Sequence, residues 1–378
     1  MALYDQGVTT PNNSVAGGVI QPDVFGVAIN WYVNRTPLLS RLPKLPTGGD
    51  SFLLTNDNWR PRSVVTTAAM TDTTGTVVTV ADSSSFDVGD VLLIGTEVLL
   101  VTAIASATTL TVSRGYAAST PATHLITVNC YLITNTRTGA EIDINAMSKV
   151  PITVEQYNQT VMHAYQVGGS LQASTNYVSA YNSPLDRDKM MAIQHCVDDF
   201  ETGALYGAGL KRASNSTRPL MKGIKTLLVT NKVTSPTNAS AYKPSDWIRD
   251  AIQPCYDRGG QPAVIFVSTN FLTGLSVWGN YAQRIDAGVS VFGTPIDVFA
   301  VSFLPGLAII PHPLLLPFTS FTMSRDEVRI RMKRRLFEKP RGSRGDAEEG
   351  DYIMEGAVEV DNEAHHAWVE GITAFSAT

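Results

Sequence analysis

The segment that most restricts what this chain can fold into is residues 183–206. Ser183 is placed to cap a helix, Pro184 takes the first helical position, and Asp186 completes a capping-box-like pattern. Met190, Ile193, Val197, Phe200 and Ala204 follow at steps of 3, 4, 3 and 4, which makes one apolar stripe. Gly207 and Gly209 close the helix. Roughly 22 residues rising ~1.5 Å each give a rod of about 33 Å. The segments around it are mostly strand-like, so the fold class is α+β.

Ahead of that helix the chain reads as extended. Residues 1–22 are polar, with Pro11, Asn12, Asn13 and Gly17-Gly18, and form an arm that orders only when a neighbour holds it. Asp23 caps a short helix with Phe25, Ala28, Ile29 and Tyr32 on one side, and Pro37 starts another turn that Pro43 and Pro46 end. Residues 46–150 read as a long hairpin whose outgoing side carries Trp59, Arg60 and Arg62, candidate contacts to other subunits. Within it, residues 72–127 turn to Thr, Val, Ser and Gly, with strand-like pieces at 76–80, 91–94, 98–102 and 109–112. This is an inserted all-β domain of about 55 residues, near the lower limit for independent stability. Residues 210–320 read as a separate α/β unit, and 321–378 as closing strands.

The closing strands carry the sharpest charge pattern. Residues 325–344 hold nine basic and three acidic residues; residues 345–363 hold eight acidic and no basic ones. Two readings stand side by side. One is a hairpin with cross-strand ion pairs, worth about 0.2–1 kcal/mol each. The other is complementarity between copies, in which Arg329, Arg331, Lys333, Arg334 and Arg335 meet Asp346, Glu348, Glu349 and Asp351 of the next subunit. Charged residues are only 17% of the chain, against about 25% in an average soluble domain, which points to an exterior partly covered by other chains. A net charge of -5 argues against a surface built to grip nucleic acid.

Chemistry is sparse. There is no GxSxG elbow, no phosphate loop, no GxGxxG and no HExxH. Cys130, Cys196 and Cys255 are widely spaced and read as buried hydrophobes. His365 and His366 are adjacent on a strand and face opposite ways, so they do not share a metal. Asp87, Asp90 and Glu97 read as turn acids, and Asp198, Asp199 and Glu201 as a solvated or partner-facing helix side. No catalytic, cofactor-binding or metal-binding residue is assigned. The apolar run 304–318 is broken by four prolines and is no membrane span, and no leader precedes the arm.

Several stretches together are similar to tailed-phage major capsid proteins of the Hong Kong 97 type, in a subgroup with a small β-domain in the extended loop. They are Thr36-Pro37-Leu38-Leu39, Val88-Gly89-Asp90-Val91, Ile94-Gly95-Thr96-Glu97, and Thr109-Leu110-Thr111-Val112-Ser113-Arg114-Gly115-Tyr116. Glu155-Gln156-Tyr157-Asn158-Gln159-Thr160 and Gly345-Asp346-Ala347-Glu348-Glu349-Gly350 complete the set. The resemblance implies an N-terminal arm (1–45), an extended loop (46–150), a peripheral domain (151–209) with a spine helix (183–206), an axial domain (210–320) and peripheral closing strands (321–378). It implies a non-enzymatic shell protein, assembled in the host cytoplasm into hexamers and pentamers of a virion capsid. The shell would enclose double-stranded DNA without sequence-specific binding, and would touch no membrane. A separate scaffolding protein, a portal and a decoration protein are the expected partners. Lys44 and Lys149 are the loop lysines and no asparagine is marked to pair with them, so the locking expected is non-covalent. An encapsulin-like nanocompartment shell is the alternative within the same fold. A carbohydrate-binding or hydrolytic tail protein is the alternative outside it.

Overall fold

The computed structural model describes residues 35–56, 60, 62–138, 152–173, 183–214, 216–275, 278, 282–284, 290–291, 294–295, 297–301, 303–324, 326–341 and 345–376. The chain divides into two units, Met1–Asn56 with Thr153–Thr378, and Asp57–Ile152.

In the first unit a four-stranded sheet runs in the order Lys44–Pro46, Val328–Pro340, Ala347–Val360, Gln159–Gly168. Its first pair is parallel and the other two are antiparallel. Alternation assigns the faces: Val328, Ile330 and Met332, then Tyr352, Met354 and Val358, then Val161 and Tyr165 all enter one core. The helix Pro184–Tyr206 packs on that face. Ser183 Oγ accepts the Asp186 N–H at 3.1 Å and so fixes its start. Gly207 fixes its end, because an added Cβ there would strike the carbonyl oxygens of Met221 and Gly203.

The buried line on this helix is Ala192, Cys196, Phe200, Ala204 and Leu205. It is rotated from the expected stripe. Phe200 and Ala204 are buried, Ile193 and Val197 flank the core half-buried, and Met190 is 39% exposed. Closeness to the sheet explains the shift. Small Ala192 and Cys196 fit the contact line, with Cys196 Sγ donating to the Tyr352 carbonyl at 3.3 Å, and larger side chains move to the margins.

A seven-stranded sheet completes this unit, in the order Lys232–Val233, Ala367–Val369, Ser320–Ser324, Pro262–Val267, Leu304–Pro311, Asp297–Val301, Ala282–Arg284. Both faces are covered. Phe266, Ile310, Phe321 and Trp368 join the core of the first sheet. Ile265, Val267, Leu307, Ile309, Ala367 and Val369 meet Trp247, Phe271 and Trp278 on the other side. Ser320–Ser324 and Ala367–Val369 therefore belong to this sheet, although a boundary at residue 320 assigns them to the closing strands of the other. The chain passes directly between the sheets twice, near Glu327 and near Asp361–His366, besides the longer passage through the helix from Gln159–Gly168 to Lys232–Val233.

The second unit is a six-stranded sheet in the order Ser63–Val65, Asn129–Asn135, Asp90–Ile94, Glu97–Ser106, Thr109–Ser113, Val77–Thr79. Thr67 N–H donates to Thr79 C=O at 2.9 Å and Ala81 N–H to Val65 C=O at 3.2 Å, so the outermost strands meet and the sheet closes into a barrel. Met70, Val78, Phe86, Leu92, Leu99, Leu110, Val112 and Cys130 fill it. The sheet takes in strands on both sides of residues 72–127, because closure needs Ser63–Val65 and Asn129–Asn135. The chain enters and leaves this unit by neighbouring strands, since Ser51–Asn56 pairs with Ile152–Tyr157.

Candidate assembly surface

The face of the four-stranded sheet turned away from the helix collects the charges of the closing strands. Arg329 Nη1 lies 2.9 Å from Asp361 Oδ2. Arg331 grips Glu359 through two bonds of 2.7 Å. Arg334 Nε donates to Glu355 at 2.7 Å, and Arg341 Nε to Asp351 at 2.7 Å. Lys333 pairs with Asp50 and stands 3.5 Å from Glu355. The acidic strand is central, so Asp351, Glu355 and Glu359 are buried beneath these long side chains. Each carboxylate is matched at once, as burying it requires. The Glu359 contact raises the Arg331 pKa, and the Asp50 contact raises that of Lys333.

The structure thus places cross-strand ion pairs inside the chain, one of the two readings of this segment. Arg329, Arg331, Lys333 and Arg334 are neutralised within their own subunit. Of Asp346, Glu348, Glu349 and Asp351, Asp351 is ion-paired, with Arg341. Glu349 accepts from Gln166 Nε2 at 2.9 Å and Glu348 from Gln172 Nε2 at 3.4 Å. The Asp346 side chain is exposed while its carbonyl accepts the Gly169 N–H. Arg335 and Lys339 are exposed and carry no ion pair among the described residues. Arg60 is also taken up internally, donating to buried Asp90 and to the Ser85 carbonyl within the barrel. Arg62 is exposed without an ion pair among the described residues, and Trp59 lies outside the described residues.

Two buried carboxylates matter more than the sequence reading allowed. Glu201 is fully buried, not solvated. Its oxygens accept the N–H groups of Leu38 and Leu39, each at 2.7 Å, and one of them lies 2.9 Å from Nε2 of buried His312. One side chain therefore fastens the turn Pro37–Arg41, the long helix and the end of strand Leu304–Pro311. A sequence signal exists: Glu201 is four residues beyond Val197 and eight beyond Ile193, in phase with the stripe. Glu97 plays the same part in the barrel. Burial alone would raise its carboxyl, but Arg114, the Ala122 N–H and His124 outweigh that and hold it at about 2. Arg114 meets it at 2.6 and 2.7 Å, and His124 at 2.8 Å. Among the described residues no group of three or more His, Cys, Asp or Glu side chains is placed to hold a metal ion.

Gln156 supplies a physical reason for the Glu155–Thr160 string. It is fully buried; Nε2 donates to the carbonyls of Lys222 and Val358, each at 2.7 Å, and Oε1 accepts the Lys222 N–H at 2.8 Å.

The chain belongs to the family described as SU10 major capsid protein, which matches residues 5–373. No curated relative matches it in sequence. Among solved structures it is similar to the holo-SrpI encapsulin complex from Synechococcus elongatus PCC 7942, at 11% identity and TM-score 0.49, over 95% of this chain and 94% of that one. It is similar to a structure from Mycobacterium phage Bobi at 11% identity and TM-score 0.43, over 94% and 97%. It is also similar to the phage G gp27 major capsid and gp26 decoration proteins at 9% identity and TM-score 0.44, over 88% of each chain.

Proposed function

We propose that this subunit assembles into hexamers and pentamers of an icosahedral shell around double-stranded DNA, in the cytoplasm of the host. The observation that carries the reading is the family match over nearly the whole chain, residues 5–373. In this reading residues 1–45 are the arm, 46–150 the extended loop, 184–206 the spine helix, and the seven-stranded sheet the axial domain. A separate scaffolding protein and a portal act during assembly, and a decoration protein is a further partner. Inter-subunit charge contacts fall to Arg335, Lys339 and Arg62, because the other basic residues of the closing strand are already matched. Low net charge suits a container, since a strongly basic lining would hold its DNA through many phosphate contacts.

The test is electron microscopy of the purified protein with the 260/280 nm absorbance of any particles. Shells rich in nucleic acid support the reading. Shells holding a protein cargo point instead to a nanocompartment, and a monomer by light scattering at micromolar concentration sinks both.

A further inference from the structure

We propose that the part of the subunit built on the seven-stranded sheet contains a peptide-recognition groove, filled here by the chain's own residues 373–376. The groove recognises a separate peptide of the same pattern, an uncharged extended segment with one aromatic residue between two small ones. The evidence begins in the backbone. The N–H groups of Thr373 and Ala374 donate to the Ala239 carbonyl at 2.8 and 3.1 Å. Tyr242 N–H donates to the Ala374 carbonyl at 3.0 Å, and Ser376 N–H to the Tyr242 carbonyl at 2.9 Å. Tyr242 and Phe375 thus form a parallel bridge that stands apart from the strands of the sheet. An added strand binds in this way: main-chain bonds hold it, and a pocket for one side chain selects it. Residues 371–378 read GITAFSAT and carry no charge, so ion pairing plays no part.

The pocket is aromatic. The Phe375 ring centre lies 5.1 Å from that of Phe271, 5.2 Å from Trp278 and 6.3 Å from Tyr242, each in an edge arrangement. Trp278 Nε1 also donates to the Ser376 carbonyl at 2.9 Å. Two backbone features shape the socket. Gly274, on the helix Thr269–Leu275, faces the ring, and an added Cβ there would stand 2.2 Å from it. Phe318 has a φ of +56°, in the left-handed region that a bulky side chain rarely takes, and its ring centre lies 6.0 Å from that of Phe375.

Two observations make the segment a ligand rather than a part of the core. Thr373 and Ala374 are exposed and Phe375 and Ser376 half-buried, whereas Tyr242, Phe271 and Trp278 are buried. Trp247 braces the socket from behind, 5.1 Å from Phe271 and 5.8 Å from Trp278 between ring centres, so the walls have packing of their own. A cleft of about 440 Å³ also continues beside the segment along Thr269 and Thr273, which leaves a way in and out. A groove formed ahead of its occupant binds a free peptide as well as a tethered one.

The test removes residues 373–378 and offers the sequence GITAFSAT back as a fluorescent peptide, with anisotropy as the readout. The shortened subunit should melt cooperatively and bind the peptide saturably. A peptide carrying Phe375→Ala should bind at least tenfold more weakly. The full-length subunit, whose groove is held by a tethered occupant, should also bind at least tenfold more weakly. A folded shortened subunit that ignores the peptide, or that binds both peptides equally, overturns the inference. Should the shortened chain not fold, full-length Gly274→Leu decides, because its side chain takes the place of the Phe375 ring. The Ser376 amide should then exchange at least tenfold faster than in wild type, with the Ile265 amide in the core strand unchanged. Unchanged protection of Ser376, or loss of both amides together, overturns the inference. Neither readout needs particles, so the shell reading stands or falls separately.

Discussion

At the residue scale, the closing strand makes opposite demands on neighbouring cations. Arg331 holds a carboxylate that is itself buried, whereas Arg335 has no ion pair among the described residues. Arg331→Ala should therefore lower unfolding stability by about 1–2 kcal/mol, because Glu359 loses its bidentate partner. Arg335→Ala should change it by less than about 0.5 kcal/mol. Denaturant unfolding of unassembled subunits checks both, and equal losses would contradict the pairing described. In assembly assays the order should invert: Arg335→Glu with Lys339→Glu should cut particle yield with the subunit still folded. Glu201→Ala should cost about 3 kcal/mol, since two N–H groups and His312 lose one acceptor deep in the core. A melting temperature within a degree of wild type would refute that role. The sequence showed the density of charge here but not its pairing. Pairing depends on which strand lies between which, and spacing along one strand does not encode that.

At the scale of elements, the two direct crossings between the sheets are tied by buried histidines. His366 Nδ1 accepts the Ser324 N–H at 3.1 Å, and Nε2 reaches the Asp361 carbonyl at 3.2 Å, so the neutral ring is required. Burial lowers its pKa to about 4, partly opposed by Glu327. A histidine lowered in the folded state stabilises fully above its ordinary value near 6.5 and loses that contribution as pH falls toward 4. Over that window the loss is about 3 kcal/mol. The described charged groups around it are Glu327, His365 and Glu363. Glu327 is itself lowered, burial being outweighed by His365, so its contribution fades only in stronger acid. Glu97, held at about 2, keeps the barrel's contribution until pH drops below about 4.5. At pH 5, hydrogen exchange should quicken in residues 320–327 and 361–369 before residues 90–113, and simultaneous loosening would contradict the assignment. The adjacent histidines were visible in the sequence. Their shared neighbour Glu327 was not, because it is brought near only by the return from one sheet to the other.

At the scale of the molecule, the long helix, the β-rich insertion and the charged hairpin were all legible as local patterns. The edges of the insertion were not, since closure recruits Ser63–Val65 and Asn129–Asn135, whose spacing resembles any extended segment. This difference can be tested. Removing residues 73–126 should expose Val64, Cys130 and Leu132 and send the protein into aggregates. Removing residues 57–152 and bridging Asn56 to Thr153 with a short glycine linker should leave a soluble, cooperatively melting subunit. Equal solubility of the two deletions would argue against the barrel as one unit.

Because Ser51–Asn56 and Ile152–Tyr157 run side by side, the polypeptide departs and re-enters through a single doorway. Whatever is spliced between those posts makes little topological demand on the host fold. The position is thus a natural socket, where another compact module with adjacent ends can stand in place of the barrel and be displayed once per subunit.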